Sequence, residues 1–174
     1  MKRKVILYIA MSIDGHIADD EDGLDWLHTT QGEGDNGYSD FIERIDTVVM
    51  GNKTYKEIQA FDVPFPYVDK ECFVFSNQET GSDEYVQYTN ENVVDFIERL
   101  NQKGKKDIWI VGGGSLIKHF MQYQLIDELI LTIAPVTLGK GIRLFQGESI
   151  ETRYHLQCIQ LVNEFDQLII SRSE

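Results

Sequence analysis

Three consecutive glycines follow an apolar run in Asp107–Ile108–Trp109–Ile110–Val111–Gly112–Gly113–Gly114–Ser115–Leu116–Ile117. The run reads as a buried strand, and Ser115 opens a series, Leu116–Ile117–Phe120–Met121, with helical spacing. A strand, a glycine turn and a helix start bring backbone N–H groups and the positive end of a helix dipole to one place. Without Cβ atoms in the way, an anion can approach them closely. The same glycines also suit a plain βα turn with positive φ, so this stretch alone does not choose. Two more strand ends carry donors: Met50–Gly51–Asn52–Lys53–Thr54, where Lys53 adds a cation, and Phe75–Ser76–Asn77. Open α/β sheets bind ligands outside the carboxyl ends of their strands, and three donor-rich ends there favour a phosphate-bearing cofactor.

Several other chemistries are excluded. Gly112 and Gly114 supply G-x-G, but Ile117 occupies the last glycine position of a Rossmann fingerprint. No Gly-Lys-Ser/Thr follows at P-loop spacing, and Ile117 again stands where a serine-hydrolase elbow needs glycine. His16, His28, His119 and His155 are scattered singly, and the acidic run Asp19–Asp20–Glu21–Asp22 lacks EF-hand spacing, so no metal site is expected.

Bulk properties narrow the field further. The 174 residues suit one domain spanning 1–174, and 42% hydrophobic with 11% aromatic content supports a packed core. Sixteen basic against 29 acidic residues give −13, which argues against nucleic-acid and membrane-surface partners. Cys72 and Cys158 lie far apart in apolar, strand-like runs, so both are expected reduced and buried in a cytoplasmic protein. Met1–Lys2–Arg3–Lys4 before Val5–Met11 imitates a signal peptide but meets Ser12–Ile13–Asp14–Gly15 without a cleavage pattern, so a buried first strand is expected.

Strands are expected over Val5–Met11, Asp46–Met50, Glu71–Phe75, Tyr85–Tyr88, 107–111 and Asp127–Ala134, with a terminal hairpin of Tyr154–Val162 and Asp166–Ser171. A turn is expected over Ser12–Ala18 and a mobile loop over Thr29–Gly37. Ser39 or Asp40 is expected to cap a helix through Phe41, Ile42 and Ile45; further helices start near Lys53, after Asn92 and at Ser115. Strands alternating with helices and then a closing hairpin predict an α/β sandwich, its sheet mostly parallel with an antiparallel edge.

In combination, Met50–Gly51–Asn52–Lys53–Thr54–Tyr55, Val111–Gly112–Gly113–Gly114 and Ala10–Met11–Ser12–Ile13–Asp14–Gly15–His16–Ile17–Ala18 resemble motifs of the dihydrofolate reductase-like superfamily. Ser-Ile-Asp-Gly, Leu125–Ile126–Asp127–Glu128–Leu129 and Ala134–Pro135–Val136–Thr137–Leu138–Gly139–Lys140–Gly141 are more similar to the reductase domain of riboflavin biosynthesis. The resemblance implies a three-layer sandwich and NADPH as hydride donor. It implies Ala10 and Ile17 beside the nicotinamide, and Gly51, Asn52, Lys53 and Thr54 on phosphate at a helix start. Ser76 and Asn77 would lie near the adenosine 2′-phosphate. Val111, Gly112, Gly113, Gly114, Ser115 and Leu116 would surround the pyrophosphate, with the Gly112–Gly113 peptide cis.

The substrate side departs from both relatives. Dihydrofolate reductases carry a carboxylate on the helix after the tryptophan, but Trp26 is followed here by His28–Thr29–Thr30–Gln31. The riboflavin-pathway domains have a lysine near Tyr8 and an acid where Val111 stands. Tyr8, Trp26 and Thr132 are the substrate-side candidates and Asp14 the candidate catalytic group, although Trp26 could equally fill core and Asp14 could simply cap its turn. The expectation is an NADPH-dependent reductase of a small planar heterocycle or carbonyl/imine compound, acting as a homodimer. The alternative is a non-catalytic nucleotide-binding or sensor protein on the same fold.

Overall fold

The computed structural model describes residues 2–30, 34–147 and 151–173. Its elements in chain order are β1 (Val5–Ser12), β2 (His16–Ala18), α1 (Asp25–His28), α2 (Tyr38–Glu43), β3 (Ile45–Gly51), α3 (Asn52–Ala60), β4 (Glu71–Phe75) and β5 (Gln87–Thr89). There follow α4 (Val93–Asn101), β6 (Asp107–Gly112), α5 (Gly114–Gln122), β7 (Glu128–Ala134), β8 (Ile142–Arg143), β9 (Tyr154–Val162) and β10 (Phe165–Arg172). Eight strands form one sheet in the order β5-β4-β3-β6-β1-β7-β10-β9. The first six run parallel, and β10 and β9 close the sheet antiparallel.

Alternation along the strands produces the layers. Val5 and Leu7 face α4 and α5 together with Val49, Ile108 and Ile110, against Phe96, Leu100, Ile117 and Phe120. Ile6 faces the opposite side with Val48, Met50, Val74 and Trp109, against Phe41 and Tyr55. Helices therefore cover both faces, as parallel sheets require.

Several local expectations are corrected. Residues 16–18, expected within a turn, form β2 and pair with β8. The helix after the glycine-rich loop ends at Glu43, and Ile45 already belongs to β3. Its N-cap is Gly37 at φ +78°, while the Asp35 carboxylate accepts from the N–H groups of Gly37 and Ser39 at 3.0 and 2.8 Å. Neither Ser39 nor Asp40 is the cap. Residues 31–33 of the loop expected over 29–37 lie outside the described residues. α5 starts at Gly114 rather than Ser115. The strand expected over 85–88 is shifted to 87–89. Cys72 is buried, but Cys158 is exposed, because its strand is the sheet edge with little packed on either side.

A buried cation fastens the start of the chain. Arg3 is 4% exposed; its guanidinium donates to the carbonyls of Lys106, Leu100 and Lys103 at 2.6, 3.1 and 3.1 Å, to Thr47 Oγ1 at 2.6 Å and to Asp46 Oδ1. One side chain thus joins β1 to β3 and to the end of α4. Among the described residues no helix is long and apolar enough to cross a membrane.

Candidate active site

The carboxyl ends of β3, β4 and β6 open onto one cavity of about 880 Å³. Gly51–Thr54, Ser76–Gln78, Asn90–Val93 and Gly113–Leu116 line it, with His119, Tyr123, Ile142 and Gln146. α3 and α5 both begin at this wall, and neither N-cap, Gly51 or Gly113, offers a side chain to the first-turn N–H groups. α4, by contrast, is capped: Asn92 Oδ1 accepts from Val94 N–H at 2.8 Å. Uncapped helix starts keep donors free for an anion.

Glycine is needed here for closeness. A Cβ on Gly51 would lie 3.5 Å from Gly113 N, so the two turns pack backbone to backbone. A Cβ on Gly114 would lie 2.3 Å from Gln146 Nε2 and 3.2 Å from Ile142 Cγ2, both on the cavity wall. The Gly112–Gly113 peptide is cis. Charge is sparse: Lys53 is bridged to Asp22, and Glu91 is held by Arg99 at 2.9 Å.

A second pocket of about 340 Å³ lies at the ends of β1 and β7, walled by Tyr8, Ala10 and Thr132 from the sheet and Leu27, Thr30, Asp35, Asn36, Tyr38 and Phe165 around it. Ala10 and Thr132 are direct neighbours in the β1–β7 register. Gln167, 3% exposed, donates to Thr132 Oγ1 at 3.2 Å and to the Asn36 carbonyl at 3.3 Å, while Gln160 Nε2 donates to its Oε1 at 2.6 Å. The Tyr8 hydroxyl donates to the same Asn36 carbonyl at 3.1 Å. Its ring stacks on Phe41, with centroids 4.5 Å apart. Burial pushes the Tyr8 phenol up from its ordinary value, so it keeps its proton. Asp35 is held low by the Ser39 hydroxyl and by the N–H groups of Ser39 and Gly37, so it stays a carboxylate.

Ten residues expected around the cofactor, Gly51, Asn52, Lys53, Thr54, Ser76, Asn77, Gly113, Gly114, Ser115 and Leu116, meet on the first cavity. Tyr8, Ala10 and Thr132 meet on the second, which separates Ala10 from the other cofactor candidates. Five candidates line neither. Gly112 sits behind the wall, Val111 packs against the Trp109 side of the core and Ile17 against the α4–α5 side. Trp26 is 9% exposed, packs on Ala134 and Phe165 and donates to the Gly23 carbonyl at 3.3 Å; it fills core, and its neighbour Leu27 reaches the pocket.

Asp14 holds a loop. Its carboxylate accepts from Ser12 Oγ at 2.6 Å and from the N–H groups of Leu138 and Gly139 at 3.0 and 2.7 Å. These bonds hold its carboxyl far below the usual range, leaving it no proton to give at neutral pH. His16 Nδ1 lies 3.4 Å away but makes no hydrogen bond. A carboxyl depressed in the folded state contributes its full stability above its unfolded pKa and loses it progressively as pH falls from there through the lower folded value. Asp14→Asn should therefore melt lower than wild type at pH 7, and the gap should begin to narrow as pH falls below about 3.8. Melting curves across pH 7 to 3 check this; a gap independent of pH would contradict it.

Asn36 and Tyr38 in the second pocket, Gln167 behind it, and Gln78, Asn90, His119 and Gln146 in the first, went unrecognised in the sequence. Gln167 looks like any polar residue alternating along a strand, and the others sit in loops or on helix faces with no motif.

A mostly parallel sheet with a strand-end cavity, a second pocket beside it and an antiparallel closing pair is the riboflavin-pathway reductase type of dihydrofolate reductase-like fold. The profile of the RibD C-terminal domain matches residues 3–168, and the chain belongs to that family. It is 46% identical over 158 residues to YwjB, an uncharacterized protein of Bacillus subtilis (strain 168), covering 90% of this chain and 91% of that one. A crystal structure from Shewanella sp. PV-4, provisionally ascribed to riboflavin biosynthesis, superposes with a TM-score of 0.90 at 34% identity, covering 98% and 99% of the two chains. The Thermotoga maritima diaminohydroxyphosphoribosylaminopyrimidine deaminase/5-amino-6-(5-phosphoribosylamino)uracil reductase shares the fold, with a TM-score of 0.72 at 14% identity over 99% of this chain and 57% of that one.

Proposed function

We propose that this chain is a reductase that binds NADPH across the strand ends and delivers its hydride to a small planar heterocycle, imine or carbonyl compound in the second pocket. The observation that carries this reading is the meeting of three strand-end loops on one cavity whose two helix starts lack side-chain caps. The donor set fits a dinucleotide: bare backbone at Gly113–Gly114 and the uncapped start of α5 for the pyrophosphate, and the Thr54 hydroxyl and Lys53 beside them. The nucleotide supplies the hydride; the protein supplies placement and electrostatics.

On the substrate side, Tyr8 and Thr132 present hydroxyl groups next to Ala10, and Tyr38 and Phe165 give flat apolar walls. Gln167 fixes the Thr132 hydroxyl and the Asn36 loop together. With Asp14 ionised and engaged, the protonated Tyr8 phenol or water brought in with substrate completes the reduction. Among the described residues the helix that holds Trp26 brings no carboxylate to either pocket, and the carboxylate at the second is Asp35 from the following loop, an arrangement that supports a substrate other than dihydrofolate.

A second copy of the chain belongs to the same proposal. β9 is an edge strand of nine residues, with Leu156, Ile159 and Leu161 exposed at 58%, 60% and 74%. A long apolar edge of this kind is an aggregation hazard unless another strand or surface covers it.

The test joins the two claims. Fluorescence titration should show saturable NADPH binding, and a screen of pyrimidines, pterins and aldehydes should find at least one compound that drives NADPH oxidation. Light scattering should give twice the 20.1 kDa chain mass. Binding without turnover on every compound would favour the sensor reading, and no binding would overturn both.

A further inference from the structure

The strand order sets where the parts of a bound dinucleotide must fall, provided the proposed reading holds. α5, whose start offers the pyrophosphate site, follows β6, and β6 lies between β1 and β3 in the sheet. The substrate pocket is on the β1–β7 side, so the nicotinamide goes there. The adenosine must then extend the other way, over the ends of β3 and β4. Three strand spacings separate β1 from β4, about 14 Å, a span an extended dinucleotide covers.

At that adenosine end the chain has placed a carboxylate of its own. Glu79 Oε2 accepts from Asn52 Nδ2 at 2.8 Å and from Ser76 Oγ, and Glu79 Oε1 accepts from Lys56 Nζ at 3.0 Å. Asn52 and Ser76 both line the cavity. The turn is built to hold this arrangement: Ser76 Oγ accepts from the N–H groups of Gln78 and Glu79, each at 3.1 Å. The Ser76 hydroxyl, then Lys56 and Asn52, pull the Glu79 carboxyl down to about 2, so it is charged whenever the protein is folded near neutrality. Asn52 Oδ1 is buried without a donor, and Glu91 adds a second carboxylate to the same end. Ser76, Asn52 and Lys56, the side chains there that could grip a phosphomonoester, thus each already donate to Glu79, although Asn52 and Lys56 keep further N–H groups and Asn77, Gln78 and Asn90 also line the cavity. A carboxylate so placed repels a phosphate and tolerates an uncharged ribose hydroxyl.

We propose that Glu79, one hydrogen bond behind the cavity wall, is a specificity-determining residue for the 2′ position of the adenosine ribose: its charge and its hold on Ser76 and Asn52 oppose a 2′-phosphate and tolerate a 2′-hydroxyl. It holds the preference for NADPH over NADH below what Ser76, Asn52 and Lys56 would otherwise give. Lys56, once released, would turn to the phosphate.

The experiment is parallel titration of wild type, Glu79→Gln and Lys56→Met with NADPH and NADH, read by nucleotide fluorescence and independent of any substrate. Glu79→Gln should raise the NADPH-to-NADH affinity ratio about tenfold, as expected for removing one partly solvated charge close to a phosphate. Lys56→Met, which removes one end of an exposed ion pair, should lower the ratio. An unchanged ratio in both variants, with both nucleotides still bound, would overturn the role of Glu79 alone. Failure of the wild type to bind either nucleotide would remove the reading beneath it and this proposal with it.

Discussion

Gly114→Val should weaken NADPH binding about a hundredfold, close to 2.7 kcal/mol, while leaving the protein folded. The first atom added would already sit 2.3 Å from Gln146 Nε2 and 3.2 Å from Ile142 Cγ2, so a branched side chain must push both aside or fill the cavity itself. Gln146 can swing away, since the contact is with the end of its side chain. Ile142 is less free, being a strand residue of β8 paired with β2. Whichever way the chain relaxes, the branches would stand between an anion and the first N–H groups of α5. The position itself tolerates a side chain conformationally, because Gly114 is not among the glycines with positive φ. A melting point within a few degrees of wild type together with unchanged NADPH affinity would contradict this placement of the pyrophosphate.

Arg3→Met should cost about 3–5 kcal/mol of stability, because it strips a buried cation from partners that cannot be satisfied otherwise. Three backbone carbonyls and the Thr47 hydroxyl would each lose a donor, and the Asp46 carboxylate its counter-charge. Burial disfavours the Asp46 charge; the N–H groups of Lys105 and Lys106 and the Thr47 hydroxyl, with Arg3, outweigh it and hold its carboxyl below the usual value. For a chain of this length the loss corresponds to a melting point lower by roughly 6–20 °C. Thermal and urea unfolding of the variant measure it directly, and a shift of less than two degrees would show that the carbonyls find water instead.

These two residues differ in how visible they are beforehand. Gly114 belongs to a run whose composition announces a close backbone approach, and strand-glycine-helix order places it at a helix start. The parallel sheet, its two helix layers and the closing hairpin were legible for a similar reason: apolar runs in strands and helical spacing in between are local patterns, repeated along the chain. Arg3 carried no such signal. It sits in a basic lead-in that looks solvated, and only the pairing of β6 with both β1 and β3 brings Asp46, Leu100 and Lys106 around it.

The same contrast runs through the site. Asn52, Lys53, Ser76 and Gly113 follow strand ends, where sequence order predicts clustering. Trp26, Ile17 and Asp14 were placed by similarity to motifs, and a motif does not say which side of its backbone faces a pocket. Asp14 became a loop fastener because Leu138 and Gly139, more than a hundred residues on, present two N–H groups to it. Glu79 escaped notice because its partners come from α3 and from its own turn, a convergence the linear order hides.

The most direct test of the account is a crystal structure with NADPH bound. It should show the pyrophosphate on the N–H groups of Gly113–Ser115, the nicotinamide towards Ala10 and Thr132, and the adenosine over Ser76. A nucleotide seated elsewhere, or lying with its nicotinamide at Ser76, would contradict it.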